Sequence, residues 1–195
     1  MKQIYFVTHN KGKVASAQDV FNKMSSNKYE LKIYNQELYE PRSYDISRIA
    51  KSKTMQAYNT LKKPCFTLDT GFYIEALNGF PRTFVNFTLE TIGIDGILKL
   101  MKDVENRRCY FLECLSYTED GTNFSYANAV INGTLSNEVL GEDTNKKWSD
   151  LWYVFIPEGY QKTLAQMSEV ERQKRKAKEI AKGNLSAIEL FASKM

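Results

Sequence analysis

Histidine is nearly absent: the 195-residue chain has one, His9, beside three cysteines, four prolines and two tryptophans. A metal centre built on several histidines is therefore excluded, and a histidine-based catalytic relay could stand only at His9. Cys65, Cys109 and Cys114 make no C-x-x-C pair, so they read as reduced core thiols of a cytoplasmic protein rather than metal ligands. No apolar run is long enough to span a bilayer, and Met1-Lys2-Gln3 leads into a short strand, so neither a membrane span nor a secretion leader is expected. Internal repeats, low-complexity tracts and Pro/Gly-rich linkers are missing. So is a large excess of one charge: 27 Lys+Arg against 23 Asp+Glu leave +4, which favours anionic ligands weakly and does not imply nucleic acid.

What is present suits a folded core, with 43% hydrophobic and 13% aromatic residues. Residues 1–195 are expected to form one α/β domain, or two small lobes sharing a sheet. The pattern predicts a strand at Lys2–Val7 and a helix near Val14–Met24, with Val14, Ala17, Val20 and Phe21 at helical spacing. A strand follows at Tyr29–Tyr34, then a polar acidic loop, Glu37-Leu38-Tyr39-Glu40-Pro41, and a helix over Ile46–Leu61. Cys65–Leu68 reads as a short buried strand ending in Asp69-Thr70-Gly71, and Thr88–Lys102 as a helix weakened at Ile92-Gly93. Arg108–Thr118 and Asn123–Asn132 make a hairpin around Glu119-Asp120-Gly121. Leu151–Ile156 is expected to be a strand, and the tail from about Ser168 a helix, strongly basic at first. Alternating strands and helices point to the α/β class.

The chemistry begins where the first strand empties into Thr8-His9-Asn10-Lys11-Gly12-Lys13. A strand, a short polar turn and a helix start present backbone N–H groups and a positive helix end, which suits an anion and most simply phosphate. Taken alone, the same residues suit an ordinary βα turn with a capping Asn. Asp69 follows an apolar strand, where acidic residues of open α/β sheets meet ligands, and Gly71 allows close approach. Glu37 and Glu40 lie on a loop after another strand, a natural place for a ligand to a hard metal ion. A phosphate turn, a loop glutamate and a post-strand aspartate together suit metal-assisted phosphoanhydride cleavage.

These residues carry a wider likeness. Thr8, Asn10 and Lys13 match a T-x-N-x-x-K signature, and the helix from Ile49 to Tyr58 places a lysine at Lys53. Leu68-Asp69-Thr70-Gly71-Phe72 through Ala76-Leu77-Asn78-Gly79-Phe80-Pro81 is a third block; Phe155-Ile156-Pro157-Glu158-Gly159-Tyr160 with Thr163 to Met167 is a fourth. In order and spacing the chain resembles the inosine triphosphate pyrophosphatase-like family of non-canonical purine nucleoside triphosphate pyrophosphatases. The resemblance implies an elongated twisted mixed β-sheet flanked by helices, two lobes with a central cleft, and a homodimer. It implies Mg2+-dependent hydrolysis of a nucleoside triphosphate such as ITP, dITP or XTP to monophosphate and pyrophosphate. On this chain, Thr8, Asn10, Lys13 and Lys53 would hold the triphosphate, with Thr70, Gly71, Phe155 and Arg172 also facing substrate. Asp69 would activate water and share the metal with Glu37, or with Glu40 in its place.

The base-reading end departs from the family. Asp150-Leu151-Trp152-Tyr153 stands where G-W-D-P is usual, Gln166 replaces a glutamate, Arg82 a glycine and Leu68 the first acid of an acidic pair. Glu171-Arg172-Gln173 runs into Lys174-Arg175-Lys176-Ala177-Lys178 without the usual Ser and His. The alternatives are therefore the same chemistry on another canonical or modified nucleotide, or a catalytically silent nucleotide-binding protein. A nucleic-acid module built on the basic tail ranks last. Trp148, Trp152, Tyr153 or Phe155 could stack on a base, although aromatics at strand spacing belong more often to the core.

Overall fold

In the computed structural model, residues 1–24, 29–143 and 147–195 are described. Their strands are β1 Lys2–Val7, β2 Tyr29–Tyr34, β3 Cys65–Ile74, β4 Pro81–Arg82, β5 Arg108–Thr118, β6 Ser125–Leu135 and β7 Phe155–Pro157. The helices are α1 Lys11–Met24, α2 Ile46–Leu61, α3 Val85–Thr91, α4 Gly93–Leu100, α5 Glu169–Ala181 and α6 Ala187–Ala192. The strands form one mixed sheet in the order β2-β1-β3-β5-β6-β7, with β4 paired to β3. The fold is α/β. Among the described residues no helix is long and apolar enough to cross a membrane.

Two compact units make up the chain. The first contains Met1–Thr70, Glu113–Ala129 and Leu185–Met195. In it β1 is central, parallel to β2 from Lys2↔Tyr29 to Val7↔Tyr34 and to β3 at Tyr5↔Cys65 and Phe6↔Phe66. Parallel strands need crossovers, and α1 and α2 supply them. The core holds Ile4, Phe6, Ala17, Val20, Phe21, Phe66, Leu68, Leu115, Ile188 and Phe191, with Phe6 stacked on Phe66 at 4.6 Å. The second unit contains Gly71–Leu112 and Val130–Asn184. Its core gathers Phe72, Ile74, Ile97, Met101, Phe111, Leu151, Val154 and Phe155.

Three expected elements differ. The strand begun at Cys65 does not stop at Leu68 but runs to Ile74. With Phe6 opposite Phe66 and β1 ending at Val7, Leu68 and Asp69 have passed the end of β1 while their own strand continues. Asp69 thus lies inside β3 rather than after its end, where the sequence pattern puts it, and stands beyond the end of the neighbouring β1. The expected helix over Thr88–Lys102 is two helices, parted at Ile92, with Gly93 at a φ of 65°. Leu151–Ile156 is not one strand: Asp150–Tyr153 is a 3-10 turn and only Phe155–Pro157 is extended. Ser149 explains the turn, since its side chain accepts the Leu151 N–H and its carbonyl accepts the Trp152 N–H at 3.2 Å. The basic tail is helical but interrupted, and Ser168 and Ser186 each open a helix with a capping box closed by Glu171 and Glu189.

Candidate functional site

The turn after β1 is built by its own side chains. The Asn10 N–H donates to Thr8 Oγ1 at 3.1 Å, and the Lys13 N–H donates to Asn10 Oδ1 at 3.0 Å. Asn10 therefore caps α1, and its carbonyl accepts the Val14 N–H at 3.0 Å. The Thr8 N–H donates to the Tyr34 carbonyl at 3.2 Å, which ties the turn to the end of β2. Capping uses one of the first-turn amides of α1; the helix start keeps its positive end toward this turn. His9 is exposed beside it.

Lys13 bends from the first turn of α1 to donate to the Leu68 carbonyl at 2.9 Å, one residue before Asp69. Burial pushes its pKa below the ordinary lysine value, with the Lys53 charge adding to the effect and Asp69, Glu113 and Glu40 opposing it. On α2, Lys53 Nζ donates to Asp69 Oδ1 at 2.5 Å and to Glu40 Oε2 at 3.3 Å. Burial works against the Lys53 charge, but Asp69 and then Glu40 outweigh it and hold its pKa above the usual value. Asp69 is only 5% exposed, and its Oδ2 is buried with no hydrogen-bond partner. A buried carboxylate oxygen without a donor is costly, so the site holds one strong acceptor in reserve.

Thr8, Asn10, Lys13, Lys53 and Asp69 are thus gathered in the first unit. Thr70 follows on β3 with a buried, unpartnered Oγ1. Glu37 is exposed and has no hydrogen bond or ion pair among the described residues, whereas Glu40 reaches the Lys53–Asp69 pair. Among the described residues no group of three or more His, Cys, Asp or Glu could hold a metal ion by itself. Two carboxylates around one ammonium are what the cluster offers.

The remaining expected residues lie in the second unit. A Cβ at Gly71 would stand 2.8 Å from the Tyr73 ring and 3.0 Å from the Arg82 carbonyl, so the close approach there is made by neighbouring chain. Phe155 is fully buried against Phe111 and Phe72, which leaves it no open face for a base. The Arg172 guanidinium lies over the Trp152 ring at 5.6 Å. It donates to the carbonyls of Leu164, at 3.3 Å, and Met167, and to Glu169 at 3.1 Å. It fastens the start of α5 to the chain before it.

Two polar residues of the first unit carry no motif. Glu113, buried on β5, accepts the Ala187 N–H at 2.9 Å and so caps α6 while its charge reaches Lys13. Thr54 Oγ1 meets Thr67 Oγ1 at 2.8 Å, the Ala50 carbonyl at 2.9 Å and the Ser116 carbonyl at 3.0 Å, joining α2 to β3 and β5.

Comparison with known proteins shows the family. The Ham1 family model matches residues 4–188. A dITP/XTP pyrophosphatase of Hyperthermus butylicus is 33% identical over 171 residues, 88% of this chain and 86% of that protein. One from Saccharolobus solfataricus is 30% identical over 186 residues, 92% of this chain and 91% of its own length. Among solved structures, a HAM1 protein from Coxiella burnetii superimposes with a TM-score of 0.78 at 20% identity, over 99% of this chain and 98% of that one.

Proposed function

The chain belongs to the Ham1 family, and from that premise we propose that the cluster around Asp69 is its hydrolytic centre. The protein is a nucleoside triphosphate pyrophosphatase, a hydrolase acting on non-canonical purine nucleotides of the dITP and XTP kind. The observation that carries the site assignment is the buried Asp69 carboxylate, held on one oxygen by Lys53 and left without a partner on the other.

In this reading the turn Thr8–Lys13 and the start of α1 receive the triphosphate, with Lys13 supplying charge. Lys53 stands between carboxylates and exchanges one of them for a phosphate oxygen when substrate arrives. Asp69 then orients a water toward the α-phosphorus and takes its proton. The new P–O bond forms as the bond to the bridging oxygen breaks, and pyrophosphate leaves with the electron pair. Thr70 adds a hydroxyl beside the reacting centre; Gly71, Phe155 and Arg172 shape the chain that follows rather than touching phosphate.

The ion we assign is Mg2+. Hard oxygen donors, few in number, suit it, because it binds through one or two carboxylates and substrate phosphates. Asp69 Oδ2 and Glu40 fit that demand, Glu40 better than Glu37 because it already faces Lys53. Asp69 and Glu40 would hold the ion beside the triphosphate, and its charge would offset the charge developing on the departing pyrophosphate. A homodimer is part of the same reading, and exposed Phe87, Ile92 and Leu100 offer apolar surface for it. A reducing, cytoplasmic setting suits three free, buried cysteines, whose thiols burial pushes up to about 12.

Asp69→Asn tests the assignment. It removes the base and keeps the shape, so pyrophosphate release falls about 10²- to 10⁴-fold while the fold persists. Turnover near that of the unaltered protein would take Asp69 out of the chemistry.

A further inference from the structure

The loop from Gln36 to Glu40 is fastened along one face of α2. Gln36 Nε2 donates to Thr60 Oγ1 at 3.3 Å. The Tyr39 N–H donates to Gln56 Oε1 at 3.0 Å, and Gln56 Nε2 donates back to the Tyr39 carbonyl at 2.8 Å. Lys53 Nζ donates to Glu40 Oε2 at 3.3 Å. Thr60, Gln56 and Lys53 are four and three residues apart, the spacing of a single helix face. The loop residues meet them in reverse order, so the loop runs antiparallel to the helix. Leu38 adds apolar contact with the Val7, Ala57 and Cys65 cluster.

Of these ties only Gln56 grips backbone. Its carboxamide matches both polar groups of Tyr39, and a flipped amide would set N–H against N–H and oxygen against oxygen. Tyr39 itself is 74% exposed. The next residue is Glu40. Without the grip, Glu40 would have to be ordered each time it meets the site, at the cost of the backbone freedom of a short loop.

We propose that Gln56 is a positioning residue, holding the Tyr39 backbone so that the Glu40 carboxylate stands at the Lys53–Asp69 pair. The proposal rests on the reading of Glu40 as part of the hydrolytic centre. Gln56 touches no substrate; it acts through Glu40. That dependence separates it from a residue that merely stabilises α2, whose loss would be felt whatever stood at position 40.

A double-mutant cycle reads the dependence. Gln56→Ala lowers kcat/KM for pyrophosphate release about tenfold, the scale of the two hydrogen bonds lost to Tyr39. In an E40Q background the same change has no further effect. Gln56→Met, which keeps the bulk of the side chain without its hydrogen bonds, behaves as Gln56→Ala does. Hydrogen exchange supplies a readout apart from activity: the Tyr39 amide is protected in the unaltered protein and in E40Q, and exchanges faster in both Gln56 variants. Equal losses from Gln56→Ala in the two backgrounds, or unchanged exchange at Tyr39, would overturn the proposal alone. An E40Q protein of undiminished activity would overturn it together with the reading of Glu40.

Discussion

Two lysines of the site have opposite consequences for the fold. Lys13 spends a partly buried charge on a carbonyl, and burial lowers its pKa. At neutral pH its ammonium is a cost that anionic substrate relieves, and its contribution to stability grows only as the proton is lost at higher pH. Lys53 sits between two carboxylates with its pKa raised. Its contribution is complete below the ordinary lysine value and is lost as pH rises through the raised one. Lys13→Met therefore raises KM by about tenfold or more, the loss of a charged hydrogen bond, while the Tm holds or rises. Lys53→Met leaves buried Asp69 uncompensated and lowers the Tm as well as activity. Melting curves beside steady-state kinetics check both. Thr8, Asn10 and Lys13 stand out in the sequence because their short spacing ties them to a strand end and a helix start, Asp69 because it follows an apolar run, and Lys53 only through the family resemblance. Glu113 and Gln56 do not. Their partners, Ala187 and Tyr39, lie 74 and 17 residues away, and only folding brings them together.

At the scale of elements, α2 matters most, since one of its faces carries Lys53, Gln56 and Thr60 while Thr54 faces inward. The Thr54, Thr67 and Ser116 contacts fix how α2 is rotated on β3, and so where Lys53 meets Asp69. Thr54→Val keeps the side-chain volume and removes the hydroxyl, so the buried Thr67 hydroxyl and Ser116 carbonyl each lose a hydrogen-bond contact. It should destabilise the fold by about 1–3 kcal/mol and lower kcat more than it raises KM. Urea unfolding and kinetics on one preparation test this; Thr54→Ser should restore much of both. The bounds of α2, Ile46–Leu61, follow from Asp45 at its start and Lys62-Lys63-Pro64 beyond its end. The end of β3 does not, because Asp69-Thr70-Gly71 has the composition of a turn while its backbone stays in the sheet. The chain at Asp150–Tyr153 misleads in the other sense: apolar residues suggest a strand, but the Ser149 cap winds them into a turn.

For the whole molecule, the α/β plan was legible in the alternation of strands and helices, and the family in the order of its motifs. The packing of Phe155 and Arg172 within the second unit was not, because their partners come together only on folding. We propose that residues 1–195 form a single domain, since β3, β5 and β6 each carry residues of both units. As a pyrophosphatase the protein cleaves a non-canonical purine nucleoside triphosphate between its α- and β-phosphates. The most direct measurement separates the products formed with Mg2+ from dITP, XTP and the ordinary nucleoside triphosphates. Monophosphate and pyrophosphate are expected in equal amounts, fastest from dITP and XTP. Orthophosphate and a diphosphate as the products, or no turnover of any nucleotide, would contradict it.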